Sequence, residues 1–158
     1  MGDELLRPDE MRNAGVMERW FTEGWAGDEQ LADETFAKRF SNNGVIVGPA
    51  GPKRNIRARL AGFPDLTSVA EQILAVEDKV VLLLRWTGTH TGPYLGVPPT
   101  GTAVEVRGMT IWHFEEGKVL EDWTVGHIPL AIFGIEIPAP VPAEPPREPP
   151  FPPGKENR

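Results

Sequence analysis

His90, His113, Asp122 and His127 are the side chains of this sequence best placed by type and spacing to move protons. An imidazole titrates near neutrality, so it can act as acid or base without a large shift. A well-positioned one contributes about 10²–10⁴-fold in rate. All four belong to, or closely follow, the stretch from Lys79 to Trp123, KVVLLLRWTGTHTGPYLGVPPTGTAVEVRGMTIWHFEEGKVLEDW. It contains three β-type runs, a Pro/Gly-rich elbow and a tight turn. Two of the runs carry no polar face and must be covered on both sides. Ionisable groups dispersed in such an apolar wall are costly to desolvate unless paired, which points to a pocket.

Strand alternation sorts these residues into faces. Arg107, Met109, Ile111 and His113 share one face of their strand, with Gly108, Thr110 and Trp112 on the other. On the last strand Trp123, Val125 and His127 oppose Asp122, Thr124 and Gly126. The reading adopted takes the His113 and His127 faces as the cavity wall, so that two imidazoles converge. Asp122 then points outward unless a bulge re-aims it. His127 is the first candidate for general acid/base, removing an acidic proton from a β-dicarbonyl-like substrate or protonating an enolate, alkene or leaving oxygen. His113 would polarise a carbonyl or hold His127. Trp20, Trp86, Trp112 and Trp123 offer stacking surface for a flat or polyene-like ligand. His90, Asn43, Arg107, Met109 and Asp122 complete the candidate binding set. Each has a plainer alternative: a rim or elbow histidine, a core tryptophan, a turn-forming asparagine, a surface arginine.

The elements that must position these groups run from helices to sheet. Met11, Ala14, Met17, Phe21 and Trp25 recur at helical steps over Pro8 to Trp25. A second helix is expected over Glu29 to Arg39, with Leu31, Phe36 and Phe40 inward. Asn42-Asn43-Gly44 is a turn, followed by a short strand, Val45 to Val47. Another short helix is expected over Arg54 to Ala61. Strands follow at Thr67–Val76, Lys79–His90, Thr102–Phe114 and Val119–His127, with the elbow Thr91–Gly101 and the turn Glu115–Lys118 between them. Ile128 to Gly134 reads as one helical turn or loop. Helices first and a long antiparallel meander after is an α+β order. A twisted sheet of four to six strands would curl around the helices into a cone with an open mouth. The domain is expected over 8–136, after a flexible N-terminus (1–7) and before a Pro-rich tail (137–158), where polyproline II or disorder is expected.

Bulk composition excludes several classes. The chain has 158 residues and a net charge of -7, whereas neutralising nucleic acid needs a basic face. The one basic cluster, Lys53, Arg54, Arg57 and Arg59, reads as a solvated helix face. No cysteine is present, which removes disulfides and thiolate chemistry and is compatible with a reducing cytoplasm. The N-terminus lacks the apolar core of a signal peptide, and no apolar run approaches a membrane span. The expected setting is cytoplasmic, away from membranes. The spacing of His90, His113 and His127 matches no standard zinc motif. Neither a phosphate-cradling glycine loop nor a serine elbow appears, and a metal site is not expected.

Four motifs, taken together, resemble a known family. F-T-E-G-W-A-G-D (Phe21 to Asp28), F-P-D-L (Phe63 to Leu66), G-T-H-T-G-x-x-L-G-V-P-P-T-G (Gly88 to Gly101) and F-E-E-G-K-V-L-E-D-W (Phe114 to Trp123) are similar to those of SnoaL-like polyketide cyclases and ester cyclases. That family belongs to the nuclear transport factor 2-like superfamily of cone-shaped α+β barrels. The resemblance covers roughly Val16 to Gly134. It implies a homodimer acting on a small hydrophobic molecule without a cofactor. In characterised cyclases of the family, an aspartate four residues after the hairpin tryptophan is the acid/base of an intramolecular aldol closure. A histidine fourteen residues before it shares the pocket. The histidine position falls on His113, but the aspartate position is held by His127. Asp122 stands where the family more often has histidine, so acid and imidazole have changed places.

The function expected from these readings is a cyclase or isomerase closing a ring in a polyketide-like intermediate of secondary metabolism. Two others stand beside it: a binding protein that keeps the cavity without turnover, and a hydrolase or dehydratase. The last needs a carboxylate in the cavity, for which Asp122 is the nearby candidate.

Overall fold

Pro8 opens helix α1 (Pro8–Arg19), where its missing N–H deprives the helix of nothing. In this computed structural model, residues 6–126 and 129–135 are described. The inward stripe of α1, Glu10, Asn13 and Met17, runs on into a π-helical turn over Trp20–Gly24. The Trp25 N–H closes that turn on the Trp20 carbonyl at 3.0 Å. Such a widened turn redirects side chains and often marks a functional position. Here Trp20, Phe21 and Trp25 all reach the same interior space. Gly24 is needed because a Cβ there would lie 2.4 Å from the Trp20 ring.

Helix α2 (Leu31–Thr35) is short, and strand β1 (Phe36–Asn42) follows it directly. The expected helix to Arg39 is therefore corrected. Phe36 and Phe40 are both buried as expected, but their four-residue spacing suits an irregular strand as well as a helix. The chain continues through β2 (Val45–Ile46), α3 (Ala50–Gly62), β3 (Thr67–Val76), β4 (Lys79–Thr89), β5 (Ala103–Glu115) and β6 (Lys118–Gly126) to a 3₁₀ turn, Leu130–Phe133. Helix α3 starts earlier than the prolines suggest. Pro52 sits in its first turn, where no N–H is needed.

The six strands form one curled sheet in the order β2-β1-β6-β5-β4-β3, and the fold is α+β. Its neighbours are antiparallel except β1 and β6, which run parallel. That parallel pair is irregular: Phe36 meets Val119 while Ser41 meets Glu121.

The inner face of the sheet is set by β4, where Val80, Leu82, Leu84 and Trp86 are buried. Their partners across the ladder are Trp112, Thr110, Gly108 and Val106 on β5, which share that face. On β6, Val119 and Asp122 are both buried although three residues apart. Regular alternation would put them on opposite faces. His113 pairs with Glu121 and Phe114 with Val119, so Leu120 is the extra residue of a bulge. The bulge turns Asp122, Thr124 and Gly126 inward.

The elbow between β4 and β5 rests on the end of α3. The Thr91 and Gly92 N–H groups both donate to the Gly62 carbonyl at 3.1 Å. A Cβ on Gly92 would come within 1.8 Å of the Ala61 carbonyl oxygen, so only glycine allows this contact. No helix among the described residues is long and apolar enough to cross a membrane. The expected N-terminal segment, save its last two residues, and the tail 137–158 lie outside the described residues.

Candidate functional site

A cavity of about 380 Å³ lies between the helices and the inner face of the sheet. The π-helical turn contributes Trp20 and Phe21, and Trp25 follows; β4 and β5 contribute Trp86 and Trp112. Gly108 and Gly126 are paired across β5 and β6 and both line the space. A Cβ on Gly108 would press on the Val125 carbonyl oxygen at 3.3 Å.

Against this apolar wall stands a polar group built on the end of β1, the middle of β5 and the second half of β6. Asp122 is 8% exposed. Asn42 Nδ2 donates to its Oδ1 at 2.6 Å, and Thr124 Oγ1 lies 3.3 Å from its Oδ2. The Thr124 hydroxyl is closer to Thr110 Oγ1, at 2.8 Å. A hydroxyl has one proton to give, so Asn42 is the principal donor to the carboxylate. Burial pushes the Asp122 carboxyl above the usual carboxylate range, and the donors Asn42 and Thr124 only partly oppose it. Such a carboxyl holds a proton more readily than a surface aspartate, and its conjugate base accepts one more readily.

Asn43 locks this corner. Its backbone N–H donates to the Asp122 carbonyl, and its Oδ1 accepts the Thr124 N–H, each at 2.9 Å. It adopts φ 47° in the turn between β1 and β2, a conformation asparagine tolerates. It is thus turn former and cavity wall at once.

Of the expected site residues, Trp20, Asn43, Trp86, Trp112 and Asp122 line the cavity. The inward direction of Asp122 corrects the expected outward one, through the Leu120 bulge. His113 does not converge on the cavity. Its Nε2 sits 3.0 Å from Asp78 Oδ2, and its Nδ1 lies 4.0 Å from Glu121, on the opposite face of the sheet. Arg107 pairs with Glu71 and Glu105 on that same outer face. Met109 and Trp123 are there too, and Trp123 is 52% exposed. Alternation had grouped these residues correctly. It cannot say which of two apolar faces is inside, and the expected face was the wrong one.

His90 is fully buried in the elbow, outside the cavity wall. Its Nδ1 accepts the Thr100 N–H at 3.3 Å and lies 2.9 Å from Thr100 Oγ1, which bridges on to Thr102. The ring packs against Phe63. This histidine staples the elbow instead of meeting a ligand. His127 lies outside the described residues; it follows Gly126, the last lining residue of β6, in sequence.

The cavity also holds residues that sequence reasoning passed over. Asn42 was absorbed into a turn, although one asparagine at positive φ suffices for it; two in a row was the available signal. Thr110 and Thr124 fall on the strand faces opposite the expected cavity wall. On α3, Gly51, Asn55 and Arg59 recur every four residues along the lining side, with Arg54 beside them. The basic cluster is therefore only in part a solvated face. Lys53 and Arg57 are the outward members, paired with Asp33 and Glu29. Among the described residues no group of three or more His, Cys, Asp or Glu is placed to hold a metal ion.

Comparison with known proteins follows the same outline. A sequence model of SnoaL-like polyketide cyclases matches residues 15–127. A candidate SnoaL-like polyketide cyclase from Jannaschia sp. CCS1 is 31% identical, with a TM-score of 0.74 over 82% of this chain and 94% of that one. AclR, a candidate hydroxylase from Streptomyces galilaeus, shares the fold at 24% identity, with a TM-score of 0.71 over 82% of this chain and 86% of its own. IdmH, a candidate polyketide cyclase from Streptomyces antibioticus, does so at 23% identity, with a TM-score of 0.67 over 78% of this chain and 99% of its own. Among curated proteins none matches the sequence significantly.

Proposed function

The chain belongs to the SnoaL-like polyketide cyclase family, and on that premise we propose that it closes a ring in a hydrophobic, polyketide-like intermediate with Asp122 as the proton-transfer group. The observation that carries this reading is a buried carboxyl, with its proton affinity raised, facing an aromatic cavity. In the proposed step the Asp122 carboxylate takes a proton from a carbon between two carbonyls. The resulting enolate carbon attacks a second carbonyl of the same molecule. A carbon–carbon bond forms, the carbonyl π pair moves to oxygen, and that alkoxide takes the proton back from the Asp122 carboxyl. Aromatic walls hold the flexible chain in one folded conformer, which by itself can lower the barrier by several kcal/mol. Asn42 fixes the direction of the carboxyl.

His127, next in sequence to Gly126, is proposed as a second proton-transfer group. His113 is not part of this proposal. A homodimer is proposed through the outer sheet face, where Ile111 and Trp123 are paired neighbours and both exposed. A soluble, cytoplasmic setting in secondary metabolism completes the reading.

Proton abstraction is tested apart from ring closure. The protein is incubated in D₂O with an aryl-substituted linear β-diketone, followed by mass spectrometry. Wild-type protein is expected to exchange the central protons faster than buffer, and Asp122→Asn to lose about 10²–10⁴-fold of that acceleration. Undiminished exchange in Asp122→Asn would remove the carboxyl from the mechanism; loss in His127→Ala alone would transfer the role to the imidazole. A hydrolase or dehydratase is the second reading. It requires a carboxylate in the cavity to orient water, and Asp122 meets that requirement. Incorporation of ¹⁸O from labelled water into the product would favour hydrolysis, and loss of one water from the substrate mass would favour dehydration.

A further inference from the structure

We propose that Arg59 is an anion anchor, so that the molecule taken into the cavity carries an ionised carboxylate or an equivalent acidic oxygen besides its apolar body. This deepens the ring-closure reading by naming a substrate class, and it rests on the cavity being a ligand site.

Helix α3 sends its cations in different directions. Lys53 is satisfied by Asp33 at 2.6 Å and Arg57 by Glu29, both on the outside of the helix. Arg59 points the other way, into the cavity, and meets no carboxylate among the described residues. Its Nε is buried without a hydrogen-bond partner. Its guanidinium carbon stands 4.7 Å from the centre of the Trp25 ring. Burial pulls its pKa down, opposed weakly by Tyr94. A buried cation without an anion carries a large desolvation cost, and a cation–π contact recovers only part of it. Among the described residues this cation is left without a counter-charge, which an anionic ligand would supply.

Chemistry narrows what that ligand is. The guanidinium fork matches the two oxygens of a carboxylate, with two parallel N–H donors. The cation–π contact with Trp25 holds the guanidinium at the cavity wall, and its Nε–H is left for a ligand. Asp122 lines the same cavity but is held by Asn42, so among the described residues Arg59 meets no carboxylate there, while Arg54 beside it is exposed to solvent. Trp20, Trp86 and Trp112 supply the wall for the apolar remainder of the ligand. An acid anchored at Arg59 would hold that remainder in place while Asp122 exchanges a proton with it.

The test compares two probes of the same shape, 2-naphthoate and 2-naphthamide, by quenching of tryptophan fluorescence in the full chain at neutral pH. The acid is expected to bind wild-type protein at least about tenfold more tightly than the amide. In Arg59→Met the two should bind alike, with the amide affinity little changed; Arg59→Lys should keep a reduced preference. Equal affinities in wild type, or a preference that survives Arg59→Met, would overturn the anchor and leave the cavity reading intact. Binding of neither probe would overturn the anchor together with the cavity reading. Should Arg59→Met fail to fold, the wild-type comparison and Arg59→Lys decide the outcome by themselves.

Discussion

Replacing Asn42 by alanine isolates the interaction that orients the proposed acid/base. The amide reaches Asp122 Oδ1 at 2.6 Å, while the Thr124 hydroxyl is 3.3 Å away and nearer to Thr110. A hydrogen bond to a charged partner is worth about 1.5–3 kcal/mol, and to a neutral one about 0.5–1.5 kcal/mol. The loss is therefore larger when Asp122 is ionised. The sign follows from the carboxyl's environment. Its folded pKa already lies above the ordinary value because of burial, with Asn42 among the groups opposing the rise. Stability linked to such a group is fully present below the unfolded pKa and is lost as pH rises through the folded one. Removing Asn42 raises the folded value further and adds to that loss. Thermal unfolding at pH 8 should fall by about 1.5–3 kcal/mol, or about 3–12 °C for a chain of this length, and by a smaller amount at pH 4. The acid limb of the proton-exchange rate should also move to higher pH. An equal loss at both pH values, or a larger one at pH 4, would refute the assignment of Asn42 as the carboxylate's donor.

Other outcomes follow from the same structure. Asp122→Asn should melt higher than wild type at neutral pH while losing activity, since the buried charge is removed and the side-chain shape kept; calorimetry that shows a lower melting point would argue against the desolvated carboxylate. Trp112→Ala should cost about 3–5 kcal/mol in chemical denaturation, because Trp112 is almost wholly buried and packs on Phe21, Phe36 and Phe114. Glu10 accepts the Arg7 and Glu77 N–H groups, which hold its carboxyl down at about 2. Its contribution is present above the ordinary glutamate range and lost as pH falls toward about 2, so Glu10→Gln should flatten acid denaturation in that window. Trp123→Glu should shift the proposed dimer to monomer in light scattering without lowering cavity binding; an unchanged mass would place the interface elsewhere.

Much was legible from residue order alone. The meander of long strands, the elbow and the tight hairpin turn carry strong local signals: β-branched runs, paired prolines and glycines, a glycine at positive φ in the Glu115–Lys118 turn. Helical spacing and burial agree from Met17 to Trp25, but earlier in α1 the expected Met11 is exposed and Glu10 and Asn13 are the buried positions. Strand β1 was hidden because Phe36 and Phe40 are inward at a spacing that both a helix and an interrupted strand satisfy. Its pairing with β6 is a contact between residues some eighty positions apart, and no local pattern encodes it.

The candidate site divides along the same line. Composition and motif spacing determined that this chain makes an α+β cavity, and periodicity determined which side chains travel together on each strand. Only the tertiary structure decided which face of the sheet looks inward. Both faces of β5 carry large apolar residues, so alternation leaves the two solutions close in energy until helices cover one of them. One extra residue in β6, Leu120, then turned Asp122 into the cavity, and the packing of α3 brought Arg59 to the same space while His113 was left to Asp78 outside. Register, bulge and helix placement are long-range consequences of burying the most apolar surface at once, and no window of sequence contains them.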